Sequence, residues 1–256
     1  MDKDREWQIV NVFLKDAIKL SKETLDSMDS KKGTYPAQQL VFNDFAIRSH
    51  CCLEATLLLW TEFADKTFFK LPLAIQLRVG VLDFITFTYL YNFKDNVNDF
   101  NREYDRLNDT FYSWILNQAK NFGADGEQEF NKVIKTHFPD KDLLDNNGRK
   151  LKTPTVGAMK DISEKGMLGE YVSTAYNTYR LLSQYEHYSI VSRKFMERPV
   201  ETDMEQSTVA IDCVLLLQYF CFQLLPVDPS LVTRYRTLYY NYLESYAGGR
   251  VIETQI

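Results

Sequence analysis

Apolar positions recur every three to four residues along most of this chain. That is the spacing of one buried face on an α-helix. Between residues 5 and 29, Trp7, Ile9, Val10, Phe13, Leu14, Ile18 and Leu20 are interleaved with charges and predict an amphipathic helix. KKGTYP at 31–36 breaks the pattern, because glycine and proline interrupt a helical run. A long helical run follows at about 37–69. Leu71 and Pro72 punctuate it, and Pro72 suits the first turn of the next helix. Residues 73–93 are strongly apolar, and 95–121 are helical and more polar, ending near Gly123. A short helix fits 126–137, and Thr155 can cap another at 156–164. Gly166 precedes a helix of about 20 residues, and a further helix spans about 203–225. Asp228-Pro229 is an N-cap and first-turn pair for a last helix at 229–246, which Gly248-Gly249 stops. The pattern predicts an all-α, multi-helix bundle of about eight or nine helices.

Most turn signals fall in PDKDLLDNNGRKLKTPT, 139–155, where Asn147-Gly148 can seat a small hairpin. That segment divides the chain into an N-terminal helical bundle, 1–138, a linker or small hairpin, 139–155, and a C-terminal helical part, 156–256. One continuous domain fits the same pattern. The chain shows no internal repeat and no low-complexity tract.

Composition agrees with long elements. The 256 residues include only 10 glycines and 7 prolines, against 16 tyrosines and 17 phenylalanines. A chain of this length has ample apolar content for a core. The formal net charge is −5, so no global field draws the chain to phosphate and nucleic-acid binding needs a local basic patch. Arg149, Lys150 and Lys152, and Arg193, Lys194 and Arg198, form two such clusters, and short charge runs of this kind are usually solvated surface. The four cysteines, Cys51, Cys52, Cys213 and Cys221, lack C-x-x-C and zinc spacing and sit in apolar helical contexts. They are expected to be reduced and buried, in a cytoplasmic protein. The N-terminus carries no signal-peptide core. The most apolar run, 209–225, is interrupted by Asp212, Gln218 and Gln223 and reads as a central core helix, so no membrane partner is expected.

Two stretches place polar residues beside apolar faces. On the helix that carries YRLLSQYEHYSIVS, 179–192, a turn of about 100° per residue sets Val172, Ala175, Tyr179 and Leu182 on one apolar stripe. Tyr176, Arg180, Ser183 and His187 form a polar stripe alongside it, and Glu186 falls in the apolar stripe. An arginine and a histidine projecting together suit metal-free RNA cleavage. The histidine moves a proton at the ribose 2′-hydroxyl or the leaving oxygen, and the arginine holds the phosphate. The competing reading is a buried polar network, with Arg180 paired to Glu186 or Glu54 and His187 bonded to a backbone carbonyl. In RSHCCLEATLLLW, 48–60, Arg48 and Glu54 both fall on a wide apolar face, where a crossing ion pair between helices or an i−4 pair from Asp44 to Arg48 explains them. His50 and His137 show no metal-ligand spacing, and no phosphate loop or nucleophile elbow occurs, so neither a metal nor a cofactor is expected.

Arg48 and Glu54, with TVGAMKDISEKG and YNTYRLLSQYEHYS, resemble a bacterial family of helical proteins bearing a Tyr-Arg-x-x-Ser-x-x-x-His core, here Tyr179, Arg180, Ser183 and His187. The resemblance covers about residues 40–225. More loosely, R-x6-H resembles the HEPN superfamily (higher eukaryote and prokaryote nucleotide-binding domains), many of whose members are metal-independent ribonucleases of toxin or phage-defence systems. The resemblance implies catalytic Arg180 and His187, supported by Ser183, Tyr179, Tyr176, Arg48 and Glu54. It also implies an RNA substrate, a homodimer and a cognate protein partner. Leu181 departs from the polar residue that HEPN nucleases commonly carry after the arginine. The alternative is a non-catalytic helical protein that binds a partner or a nucleotide, with the motif structural.

Overall fold

A computed structural model describes residues 3–29, 35–63, 69–121, 152–185 and 200–247, with a few positions between them. Every regular element among these is helical. The helices are α1 (Lys3–Asp29), α2 (Ala37–Phe63), α3 (Lys70–Tyr91), α4 (Val97–Lys120), α5 (Val156–Ser163), α6 (Gly169–Leu182), α7 (Val200–Leu224) and α8 (Pro229–Ala247). A 3-10 turn, Ser183–Tyr185, follows α6. The all-α bundle anticipated from periodicity is therefore present. The expected hairpin at Asn147-Gly148 lies outside the described residues, as does most of the expected helix at 126–137.

The local stop and start signals act as their chemistry requires. The Thr155 side chain accepts from the Ala158 N–H at 3.2 Å and caps α5. Asp228 accepts from the Ser230 N–H at 2.8 Å and opens α8 at Pro229. Asn96 accepts from the N–H groups of Asn98 and Asp99 ahead of α4.

Helix α7 is the central element. Its most extensive contacts are with α2 and α3, which also pack on each other. Helices α1 and α8 pair on one side, and α5 and α6 lie against α3. One apolar core includes Leu14, Leu53, Trp60, Phe84, Phe87, Leu217 and Tyr235, so helices from both sides of the turn-rich segment share it. Helices α3 and α7 are long and apolar enough to cross a membrane, but 67% and 78% of their most apolar windows are buried inside the bundle. Their hydropathy is accounted for by burial against other helices.

Gly80 sets the distance at which the three central helices meet. A Cβ at this position would stand 2.5 Å from Val214 Cγ2 on α7 and 2.7 Å from Cys52 Sγ on α2. The missing side chain lets α3 approach both neighbours, and interiors packed this densely do not absorb an extra methyl. Gly80→Ala is expected to destabilise the fold by about 2–3 kcal/mol, despite the ~1 kcal/mol gained in helix propensity. Thermal melting should show Tm falling by roughly 5–10 °C.

Candidate functional site

The motif helix divides into pegs and one free arm. Val172, Ala175 and Leu182 are buried, as the apolar stripe requires, while its fourth member, Tyr179, is half-buried and Thr178, off the stripe, is buried. Arg78 of α3 donates from Nε to Ser183 Oγ at 2.9 Å and from Nη2 to the Tyr179 hydroxyl at 3.2 Å. Ser183 in turn donates to the Tyr179 carbonyl at 2.7 Å. Its hydroxyl is occupied on both sides, so Ser183 and Tyr179 hold α6 in register with α3. Arg78 was not singled out in the sequence, because its role depends on α3 lying beside α6. The void beside Leu182 and Tyr185 is about 10 Å³, room for one water at most.

Arg180 is exposed, 5.9 Å over the Tyr176 ring, and Lys160 lies 6.0 Å from the same ring. Lys160 also bonds Glu164 at 2.8 Å, and that contact with the Ser173 hydroxyl holds the Glu164 carboxyl below its ordinary range. The regular α-helix ends at Leu182 and tightens into a 3-10 turn. The even α-helical spacing expected from Arg180 to His187 is thus broken after two residues. His187 and Glu186 lie outside the described residues, as do Arg149, Lys150, Arg193 and Arg198.

Arg48 and Glu54 do not share the buried face expected of them. Their side chains are 58% and 55% exposed. The wide apolar face of α2 ends short of both positions, and each charge keeps contact with water at its edge. Arg48 makes a two-pronged pair with Asp83 of α3, at 2.9 and 2.7 Å, rather than a crossing pair with Glu54. The pair raises the guanidinium pKa. The Asp83 carboxyl nevertheless sits above its ordinary value, because burial outweighs the attraction of Arg48. Such a pair orients α2 on α3 more than it stabilises them.

Glu54 ends a chain of polar contacts through four helices. His50 Nε2 lies 3.5 Å from Glu54 Oε1, and His50 Nδ1 lies 3.0 Å from Ser21 Oγ on α1. Gln218 of α7 donates to Ser21, and the Tyr235 hydroxyl of α8 donates to Gln218 at 2.7 Å. A ring proton on Nε2 lets every member donate in one direction, from Tyr235 outward to Glu54. Serine, histidine and carboxylate stand here in the order of an acyl-transfer triad. Ser21 has 0% exposed surface, so no substrate carbonyl reaches it and the chain is a structural tie.

Cysteine chemistry is also closed. Cys52, Cys213 and Cys221 are buried, as expected, but Cys51 is exposed. It sits on the outward side of α2, one residue before a buried cysteine, and a helix turns about 100° per residue. Burial pushes the Cys52 thiol up to about 11 and raises Cys213 and Cys221 as well, so these three stay protonated and poorly nucleophilic. Among the described residues no three His, Cys, Asp or Glu side chains converge as a metal site.

A different place in the fold has the attributes of a binding site. Helices α6, α7 and α8 enclose a pocket of about 250 Å³. From α7 come Val209, Asp212, Cys213 and Leu216; from α8 come Arg236, Tyr239, Tyr240 and Leu243. Both stripes repeat at i, i+3, i+4 and i+7, which normally closes onto a neighbour as solid core. Tyr219 of α7 and Glu170, Tyr171 and Thr174 of α6 complete the wall, the last two about 180° and 120° around that helix from Arg180. Asp212 Oδ1 is buried with no hydrogen-bond partner. Burial alone pushes its carboxyl up to about 8. Over the rim, Arg236 lies 5.8 Å above the Tyr240 ring. Asp212 and Gln218 are two of the polar residues that interrupt the apolar run at 209–225, so the signal for both was in the sequence. Their different roles were not.

Comparison with family models, with curated proteins and with solved structures finds no match to this chain.

Asp212 makes stability depend on pH. The folded protein holds this proton to about pH 8, whereas the unfolded chain releases it near pH ~4. The folded state therefore loses stability as pH rises between those values, and the loss is complete above the higher one. Asp212→Asn should melt higher than wild type at alkaline pH, by on the order of 1–3 kcal/mol, with the difference vanishing toward pH ~4. Melting curves across that range check it.

Proposed function

We propose that this chain is a ligand-binding helical bundle and that the pocket around Asp212 is its site. The observation that carries this reading is the Asp212 carboxyl, which lines a cavity walled by three helices and has one buried oxygen with no hydrogen-bond partner. Buried polar groups are nearly always partnered, and an unpaired carboxyl lowers stability unless something else bonds it. A cavity with mostly apolar walls and a few convergent polar groups is the usual form of a small-molecule site. The pocket is tested by filling it. Thr174 is an exposed lining residue, so Thr174→Trp is expected to fold with an unchanged Tm while its ring occupies the mouth. Ligand-observed NMR with a mixed set of neutral, cationic and anionic fragments should detect binding to wild type that the Trp variant loses. Identical fragment profiles for the two proteins would remove the pocket as the site.

A second reading, a metal-independent HEPN-like ribonuclease of a toxin or phage-defence system, draws on one observation. Arg180 is exposed and free of the ties that bind Tyr179 and Ser183, and Lys160 lies 6.0 Å from the same aromatic ring. Two cations beside a ring suit a phosphate next to an unstacked base. In this reading the protein acts as a homodimer, and a cognate protein partner restrains it. Expression of wild type, Arg180→Ala and His187→Ala in bacteria separates the readings. Cleavage by wild type alone, with all three equally folded, supports the nuclease; intact RNA in every culture, including one with the protein purified and added to RNA, counts against it.

A further inference from the structure

The chemistry of the Asp212 pocket narrows what it takes. We infer that its ligand is a small organic cation, an alkylated amine whose charged nitrogen meets Asp212 and whose apolar groups pack among the tyrosines. This rests on the ligand-binding reading above. Three ligand classes can be weighed against the lining. An anion would meet the Asp212 carboxyl on the floor, with Glu170 also lining the pocket. A neutral apolar molecule would leave Oδ1 as unpartnered as it is now. A cation draws the Asp212 carboxyl into its ionised form and pairs with it, and four tyrosines, Tyr171, Tyr219, Tyr239 and Tyr240, line the same space. Aromatic faces attract cations, most strongly where water is excluded. Arg236 does not reverse this balance. It lies over the Tyr240 ring and interacts with the Tyr219 hydroxyl, and the Glu170 side chain lines the same pocket.

Binding couples to a proton. Asp212 is neutral in the empty pocket at neutral pH, because burial favours its protonated form. A cation favours the carboxylate, so the proton leaves to solvent as the ligand enters. The groups facing Asp212 are Glu170 and Tyr171 from α6, Arg236, Tyr239 and Tyr240 from α8, and Cys213 and Tyr219 on its own helix. Tyr239 is held well above its ordinary value by burial and by Asp212, and burial raises Cys213. Asp212 is therefore the lining group that changes charge near neutral pH.

The test uses choline and its uncharged isostere 3,3-dimethyl-1-butanol as probes, titrated into the 256-residue chain by calorimetry. Choline should bind wild type at least about tenfold more tightly than the isostere, and tighten by about tenfold or more between pH ~6 and ~8. Asp212→Asn, isosteric and neutral, should lose both the preference and the pH slope. Tyr240→Leu should weaken choline while leaving the slope in place. Equal binding of choline and the isostere, excluded by Thr174→Trp, would overturn the cationic ligand and keep the pocket. Binding of neither probe, with a fragment of another charge excluded by Thr174→Trp, would do the same. Absence of any probe or fragment sensitive to Thr174→Trp would overturn both readings. A melting curve for each variant, matched to wild type, separates lost binding from lost folding.

Discussion

The close approach of three helices at Gly80 is the constraint on which the other arrangements rest. Van der Waals contact with Cys52 and Val214 leaves no space for a side chain on that face of α3. The separation of α2, α3 and α7 is fixed there, and dense interiors transmit such a separation along rigid helices. The Arg48–Asp83 pair and the Arg78 bonds to Tyr179 and Ser183 all extend from α3. Each needs α3 at a set distance and rotation from its neighbour.

Polar contacts then supply the register that apolar packing leaves loose. The chain from Tyr235 through Gln218, Ser21 and His50 to Glu54 crosses four helices. A one-residue slip of α7 would rotate Gln218 by about 100°, take the acceptor from the buried Tyr235 hydroxyl and remove one of the two partners of Ser21. The Arg48–Asp83 pair acts similarly between α2 and α3, with burial of the carboxyl offsetting much of its attraction. Two sets of residues with reactive side-chain types are in this way tied into the packing of helices: Ser21 with His50 and Glu54, and Tyr179 and Ser183 with Arg78.

Against that economy Asp212 stands out. It is one turn and a half before Gln218 on the same helix, yet no protein group meets its Oδ1. Helices α6, α7 and α8 part just enough at this point to leave a cavity instead of core. A buried carboxyl oxygen without a partner lowers the stability of the fold.

The helical class, the caps at Thr155 and Asp228, and the central position of the 209–225 run are properties of local sequence. They follow from 3.6-residue periodicity and from the bonding of side chains to nearby backbone, so one segment at a time contains the information. Arg48 and Ser183 were also marked as polar residues beside apolar faces. Their partners, Asp83 and Arg78, lie 35 and 105 residues away, and only the packing of α3 brings them together. Asp212 and Gln218 were equally visible as interruptions in an apolar helix. Sequence alone determined that these polar groups exist and on which helix they ride. Tertiary structure decided that Gln218 is satisfied and Asp212 is not, because hydrogen bonding across helices depends on distances that no single helix encodes.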